Sequence, residues 1–145
     1  THLVGHLQTN KVRLALGAFD ILHAVDSERL LRAISAAATT PTRLMIEVNV
    51  SGEPTKYGVA PGELSGLLAV ARGLPNAGVE GLMTVAPRVS HPEQARPFFR
   101  QLASLAREHD LVALSMGMTE DFEVAIEEGA SHVRIGRAIF GERAQ

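Results

Sequence analysis

Cysteine is absent from the 145-residue sequence, which excludes disulfides, thiolate metal sites and a cysteine nucleophile, and fits a cytoplasmic setting. Long apolar runs are missing too: no stretch approaches the roughly 18 residues of a membrane span, and no charged-then-apolar leader opens the chain. A surplus of either charge is also lacking, with 14 basic against 16 acidic residues and a formal charge of −2. The basic residues are scattered, so no nucleic acid is expected as a partner. There is no initiating methionine, and Leu3-Val4 read as mid-strand without a polar lead-in, so the natural chain is expected to start upstream. What is present is 46% hydrophobic residues in a length suited to one domain over 1–145.

Six short β-like runs are predicted at His2–Gly5, Ile21–Val25, Leu44–Val50, Glu80–Val85, Leu111–Met116 and His132–Gly136, with helical patterns between them. Asp26-Ser27 can cap a helix carrying Leu30, Leu31 and Ile34. Pro61 and Pro92 suit first helical positions, the second ahead of Phe98, Phe99, Leu102 and Leu105 on one helical face. Thr119 can cap the next helix, and Gly129 can end it. Repeated βα units imply parallel strands joined by right-handed crossovers, in either a doubly wound sheet or a (β/α)₈ barrel.

Polar positions inside the strands separate these two folds. A period of two puts Leu44, Ile46, Val48 and Val50 on one face and Met45, Glu47 and Asn49 on the other. It likewise splits Val133 and Ile135 from His132, Arg134 and Gly136. Central strands of a doubly wound sheet are covered by helices on both faces and read as nearly continuous apolar runs. Barrel strands can be polar inward near the C-terminal mouth, where ligands bind. The fold class expected is therefore α/β of the (β/α)₈ TIM-barrel type. With roughly 31 residues per unit in a barrel of about 250, this chain supplies about five units, or six when the units are short, so the barrel is expected to be incomplete.

In such barrels a phosphate commonly sits between the loops after the last two strands. Here those loops hold Ser115-Met116-Gly117-Met118 and Gly136-Arg137. Glycines admit an anion close to the backbone and a serine hydroxyl can donate to it, although the same glycines could simply serve tight turns. Arg134, a charge at an inward strand position, needs a partner such as Glu47, another strand's carboxylate or a ligand. The six histidines are not spaced as a ligand set, so no metal is expected, and Ser115 has no visible His-Asp relay.

Several segments occur together and in a recognisable order: Gly5-His6-Leu7-Gln8-Thr9-Asn10-Lys11, His23-Ala24-Val25-Asp26-Ser27, Glu47-Val48-Asn49-Val50-Ser51-Gly52-Glu53, Gly81-Leu82-Met83-Thr84, Leu114-Ser115-Met116-Gly117-Met118-Thr119, and Val133-Arg134-Ile135-Gly136 with Ile139-Phe140-Gly141. Together they resemble the YggS/PROSC family of pyridoxal phosphate homeostasis proteins. The resemblance implies a barrel like the N-terminal domain of alanine racemase, binding pyridoxal 5′-phosphate in intracellular cofactor homeostasis or delivery without established turnover. It implies phosphate contacts from Ser115, Gly136 and Arg137, with Met116 lining the site and Arg134 facing the pyridine nitrogen. Asn49 and Thr84 are implied at the ring side. Pyridoxal phosphate-requiring apoenzymes are the implied partners.

The sequence departs from that pattern at one point. The family's Schiff-base lysine lies in an Ala-Val-Ser-Lys-like first strand, which nothing here matches, because the resemblance implies about six βα units with the first two missing. The only lysines are Lys11, read as a solvated helix charge, and Lys56, in the loop after Asn49. Cofactor binding by these residues is therefore expected to be non-covalent. The resemblance implies a monomer, but two open sheet edges at His2–Gly5 and His132–Gly136 lead us to expect self-association of this chain. The other readings are a racemase-like enzyme and a sugar-phosphate barrel enzyme using the same phosphate corner.

Overall fold

The computed structural model describes residues 1–141. Six strands form one sheet: β1 (His2–Leu3), β2 (Ile21–Val25), β3 (Thr42–Glu47), β4 (Ala77–Met83), β5 (Ala113–Met118) and β6 (His132–Arg134). Between them run α1 (Val12–Ala18), α2 (Glu28–Ala37), α3 (Leu64–Arg72), α4 (Arg96–Glu108) and α5 (Phe122–Glu127), and α6 (Arg137–Phe140) follows β6. Every strand pair is parallel, and the spatial order is the chain order β1-β2-β3-β4-β5-β6. A doubly wound sheet reverses its order at a switch point. This one does not.

The sheet is also curled. In a flat sheet β1 and β6 would stand five strand spacings apart, about 24 Å. Here the His2 and His132 rings, from those two end strands, lie 5.5 Å apart. Unbroken order and curl together make an incomplete barrel. Among the described residues, β1 has only β2 and β6 only β5 as a hydrogen-bonded neighbour.

The two faces divide as the period of two predicts. Leu44, Ile46 and Val48 join strand residues Leu22, Leu82 and Leu114 in the core beneath the helices, with Leu30, Leu31 and Ile34 of α2, Leu64 and Leu68 of α3, and Phe99 and Leu102 of α4. Met45 lies on the opposite face, with Ala24 and Met83. Each fully buried side chain of this size stabilises the fold by about 1.5–3 kcal/mol relative to exposure.

Local chemistry sets the helix starts. Ser27 caps α2, its hydroxyl accepting from the Leu30 amide at 3.4 Å. Pro61 and Pro92 open short 3₁₀ turns that lead into α3 and α4. At α5 the structure corrects the expected cap. The helix starts at Phe122 with Asp121 at its N-terminal boundary, and the Asp121 carboxylate accepts from the Met118 amide at 2.7 Å, while Thr119 stays in the preceding turn.

Gly117 makes that turn possible. Its φ is +90°, and a β-carbon there would fall 2.5 Å from Ala125 Cβ and 3.0 Å from Phe122 Cα. A left-handed backbone of this kind costs a non-glycine residue about 1–3 kcal/mol. Gly117→Ala is therefore expected to lower stability by about 2 kcal/mol, which a shift of the urea midpoint at unchanged slope would show.

Candidate functional site

The C-terminal ends of β4, β5 and β6 enclose a cavity of about 440 Å³, within the range of small-molecule sites. Ala86, Pro87 and Val89 from the segment after β4 supply apolar wall. Met118, the last residue of β5, and Thr119 just beyond it form another side, and Arg134, Gly136 and Arg137 close the far side. Arg137 reaches across the mouth to Glu120 at 2.5 Å.

Arg134 sets the electrostatics. Its Nη1 donates to the Ser115 hydroxyl at 2.8 Å and to the Ser115 carbonyl at 3.1 Å, and Nη2 donates to the Thr84 carbonyl at 2.7 Å. All three acceptors are neutral. Burial pulls its pKa down, and the charges of Glu47 and Asp121 oppose that pull; a guanidinium stays charged at neutral pH regardless. The result is a half-buried cation, fixed by two strands and balanced only through space, at the wall of a cavity.

Behind it runs a chain of hydrogen bonds into the barrel. Because Arg134 can only donate, Ser115 Oγ accepts from it, leaving the serine hydrogen for His23 Nδ1 at 2.9 Å. His23 Nε2 then lies 3.0 Å from His2 Nδ1. His23 is 1% exposed. Burial, then the neighbouring His2, His132 and Arg134 charges, pull its pKa down to about 4, so it is neutral at physiological pH and holds Ser115 as an uncharged relay.

A second, smaller cavity of about 170 Å³ lies beside the first, around the end of β3. Glu47, Asn49, Lys56, Tyr57, Thr84 and Val85 line it, and the Arg134 bond to the Thr84 carbonyl joins the two cavities. The loop after β3 folds back over this point. Val59 donates to the Glu47 carbonyl and Asn49 donates to the Val59 carbonyl, both at 2.9 Å. Tyr57 stacks on His6 with ring centroids 4.3 Å apart. Glu47 is 7% exposed, and burial, then the Asp26 charge, raise its pKa from 4.5 to about 7 against the opposing pull of Arg134.

The residues expected from sequence therefore separate. Arg134, Gly136 and Arg137 meet at the larger cavity, and Asn49 and Thr84 at the smaller one. Ser115 and Met116 line neither. Ser115 is fully buried beneath the mouth, behind Arg134, and Met116 is fully buried in the core under the helices. The cause is the length of β5, which continues to Met118 instead of ending at Met116, so the turn that meets the cavity is Met118-Thr119. Asn49 spends most of its capacity on its own loop, donating to the Glu53 carbonyl and accepting from the Ser51 hydroxyl and the Gly52 amide. His23 was open to detection, since a polar residue inside an otherwise apolar strand is the same signal that singles out Glu47 and Arg134.

Comparisons with known proteins agree with this geometry. A family model of the alanine racemase N-terminal domain matches residues 1–144. The pyridoxal phosphate homeostasis protein of Aquifex aeolicus is 46% identical over 151 residues, an alignment covering 98% of this chain and 66% of that relative. That of Vibrio cholerae is 39% identical, with 98% and 64% covered. The chain thus spans just under two thirds of the length of these curated relatives. PipY of Synechococcus elongatus PCC7942, solved without and with PLP bound, superposes with a TM-score of 0.84 at 35% and 32% identity, covering 97% of this chain and 70% and 69% of PipY. Alanine racemase of Clostridium difficile 630 shares the fold alone, with a TM-score of 0.77 at 10% identity over 99% of this chain and 40% of the racemase. By its family model and these relatives, the chain belongs to the alanine racemase N-terminal domain family, on the branch of the pyridoxal phosphate homeostasis proteins.

Proposed function

We propose that this chain binds pyridoxal phosphate non-covalently in the larger cavity and serves cytoplasmic cofactor homeostasis, delivering the cofactor to apoenzymes without turning over a substrate. The observation that carries this reading is Arg134, a cation fixed by neutral oxygens alone at the wall of a cavity of about 440 Å³. Such a group needs an anionic or electron-rich ligand to complete its surroundings. Bound pyridoxal phosphate would supply a reactive aldehyde on a pyridine ring.

The residues present fit that group. Ala86, Pro87, Val89 and Met118 offer apolar wall for a flat ring. Met118-Thr119 and Gly136-Arg137 form the corner for the phosphate. Nothing lies within 4 Å of where a β-carbon on Gly136 would stand, so that side of the corner is open. Arg134 beside the ring nitrogen disfavours its protonation and weakens the ring as an electron sink, which suits a carrier. The two lysines lie outside this cavity. Lys11 is exposed, and Lys56 Nζ is held by the Val85 carbonyl at 3.3 Å and Glu53 at 3.1 Å.

The test is retention of pyridoxal phosphate by the chain through gel filtration, followed by borohydride reduction and peptide mapping. Retention without a modified lysine is the expected result. Gly136→Leu should extend into the open corner and weaken retention by about tenfold or more, since a β-carbon there meets no protein atom within 4 Å. Loss of retention in the parent chain, or retention only as an adduct of Lys56, would refute the reading. Equal competition by simple phosphate esters would favour a sugar-phosphate site, and racemisation of alanine with added cofactor would favour an enzyme.

A further inference from the structure

We infer that the smaller cavity, at the end of β3, is a binding site for a primary ammonium group, recognised by Glu47. The argument starts from which polar groups there are already spoken for. Asn49 is bound within its own loop. The Thr84 hydroxyl donates to the Val48 carbonyl at 2.7 Å. Lys56 is bound to Val85 and Glu53. Among the buried groups there, the Glu47 carboxyl alone has no hydrogen bond or ion pair, although the residue is more than nine-tenths buried.

Its carboxyl is nonetheless not sealed in protein. No buried side-chain nitrogen or oxygen among the described residues lacks a hydrogen-bond partner, so the oxygens of Glu47, which have none, open onto the cavity that it lines. A buried carboxyl facing free space with nothing to accept from is a receptor for a donor. A charged donor satisfies it best, because charge-assisted hydrogen bonds are about twice as strong as neutral ones.

The surroundings narrow the class. Asp26 adds negative potential at Glu47 and Arg134 opposes it, while Lys56 at the rim is already paired with Glu53. Anions are disfavoured by the carboxyl itself. A metal ion needs several hard ligands, and no group of three or more His, Cys, Asp or Glu suited to one occurs among the described residues. At about 170 Å³ the space is below the usual 300–1,000 Å³ of a whole small-molecule site. It suits an ammonium with a few carbons, which Val85 and Tyr57 can cover, while the Thr84 hydroxyl keeps a lone pair to accept a second N–H. The inference stands apart from the pyridoxal phosphate reading, because it concerns a different cavity and a ligand that binds without the cofactor.

The probe is ethylammonium chloride, titrated into the cofactor-free full chain and followed by the carboxyl carbon signal of Glu47 and by calorimetry. Ammonium ionises far above neutrality whereas Glu47 ionises near 7, so affinity should rise about tenfold between about pH 6 and about pH 8. At the lower pH each binding event should release a proton, visible as a dependence of the heat on the buffer. Tetramethylammonium, which has no N–H, should bind at least about tenfold more weakly, and Glu47→Gln should abolish the ethylammonium response. No binding, pH-independent binding, equal binding of tetramethylammonium, or preferential binding of acetate would each overturn the inference. The proton release is read on the parent chain, so the test survives even a variant that folds poorly.

Discussion

Replacing Arg134 with Met should abolish most pyridoxal phosphate retention, weakening it by about 100-fold, equivalent to about 2.7 kcal/mol, and should also destabilise the fold. The two effects have separate causes. The guanidinium is a charge held at the wall of the larger cavity, and a charge-assisted contact to a ligand contributes about 1.5–3 kcal/mol. It also satisfies the Thr84 and Ser115 carbonyls and the Ser115 hydroxyl from one rigid fork, on two residues that are fully buried. Methionine keeps the bulk but leaves the Thr84 carbonyl without that donor and takes from the Ser115 hydroxyl the bond it accepts, at about 1–3 kcal/mol for each buried group left unmade, while the Ser115 carbonyl keeps the Thr84 amide at 3.1 Å. Removal of a poorly balanced cation offsets part of that loss, so a net destabilisation of about 2–3 kcal/mol is expected. Arg134→Lys separates the roles: it keeps a charge but a single ammonium cannot span both strands. Urea unfolding together with cofactor retention on Met and Lys variants checks both. Wild-type retention in the Met variant would show that the cavity does not use this residue.

Glu47→Gln should make the protein more stable at alkaline pH, by up to about 3 kcal/mol. The folded state raises the carboxyl from 4.5 to about 7, so it holds a proton that the unfolded chain would release. The stability linked to this group is fully present below about pH 4.5 and is lost as pH rises toward about 7. At 1.36 kcal/mol for each pH unit that span sets the upper limit. Glutamine has the same shape and no charge to desolvate, so it escapes the loss. His23 works in the opposite sense. Its pKa falls from 6.5 to about 4 on folding, so the unfolded chain takes up a proton first and stability is lost as pH falls through that window. In the parent protein the two slopes oppose each other between about pH 4.5 and 6.5. In the Glu47→Gln variant only the histidine slope remains there, and stability should rise steadily with pH across it. Denaturant midpoints measured at several pH values would show this, and identical profiles for the two proteins would contradict it.

Much of this architecture was open to reading from residues alone. The alternation of βα units, the helix starts at Ser27, Pro61 and Pro92, and the split of β3 into Leu44, Ile46 and Val48 against Met45 and Glu47 depend on local chemistry and a period of two. Neither needs knowledge of distant residues. The polar inward positions Glu47 and Arg134 already pointed to a barrel mouth, and the ordered motifs identified the family. Tertiary structure alone decided which of these groups meet. Arg134 spans from Ser115 to Thr84, and His23 touches Ser115 from 92 positions away, because the sheet curls. Register shifts in β2 and between Ser115 and Met118 move side chains off the simple alternation, and two further residues in β5 carried the cavity turn from Ser115-Met116 to Met118-Thr119. A strand's pattern records which face each residue takes; how far the strand runs, and what curls round to face it, depends on hydrogen bonds and packing with partners far away in the chain.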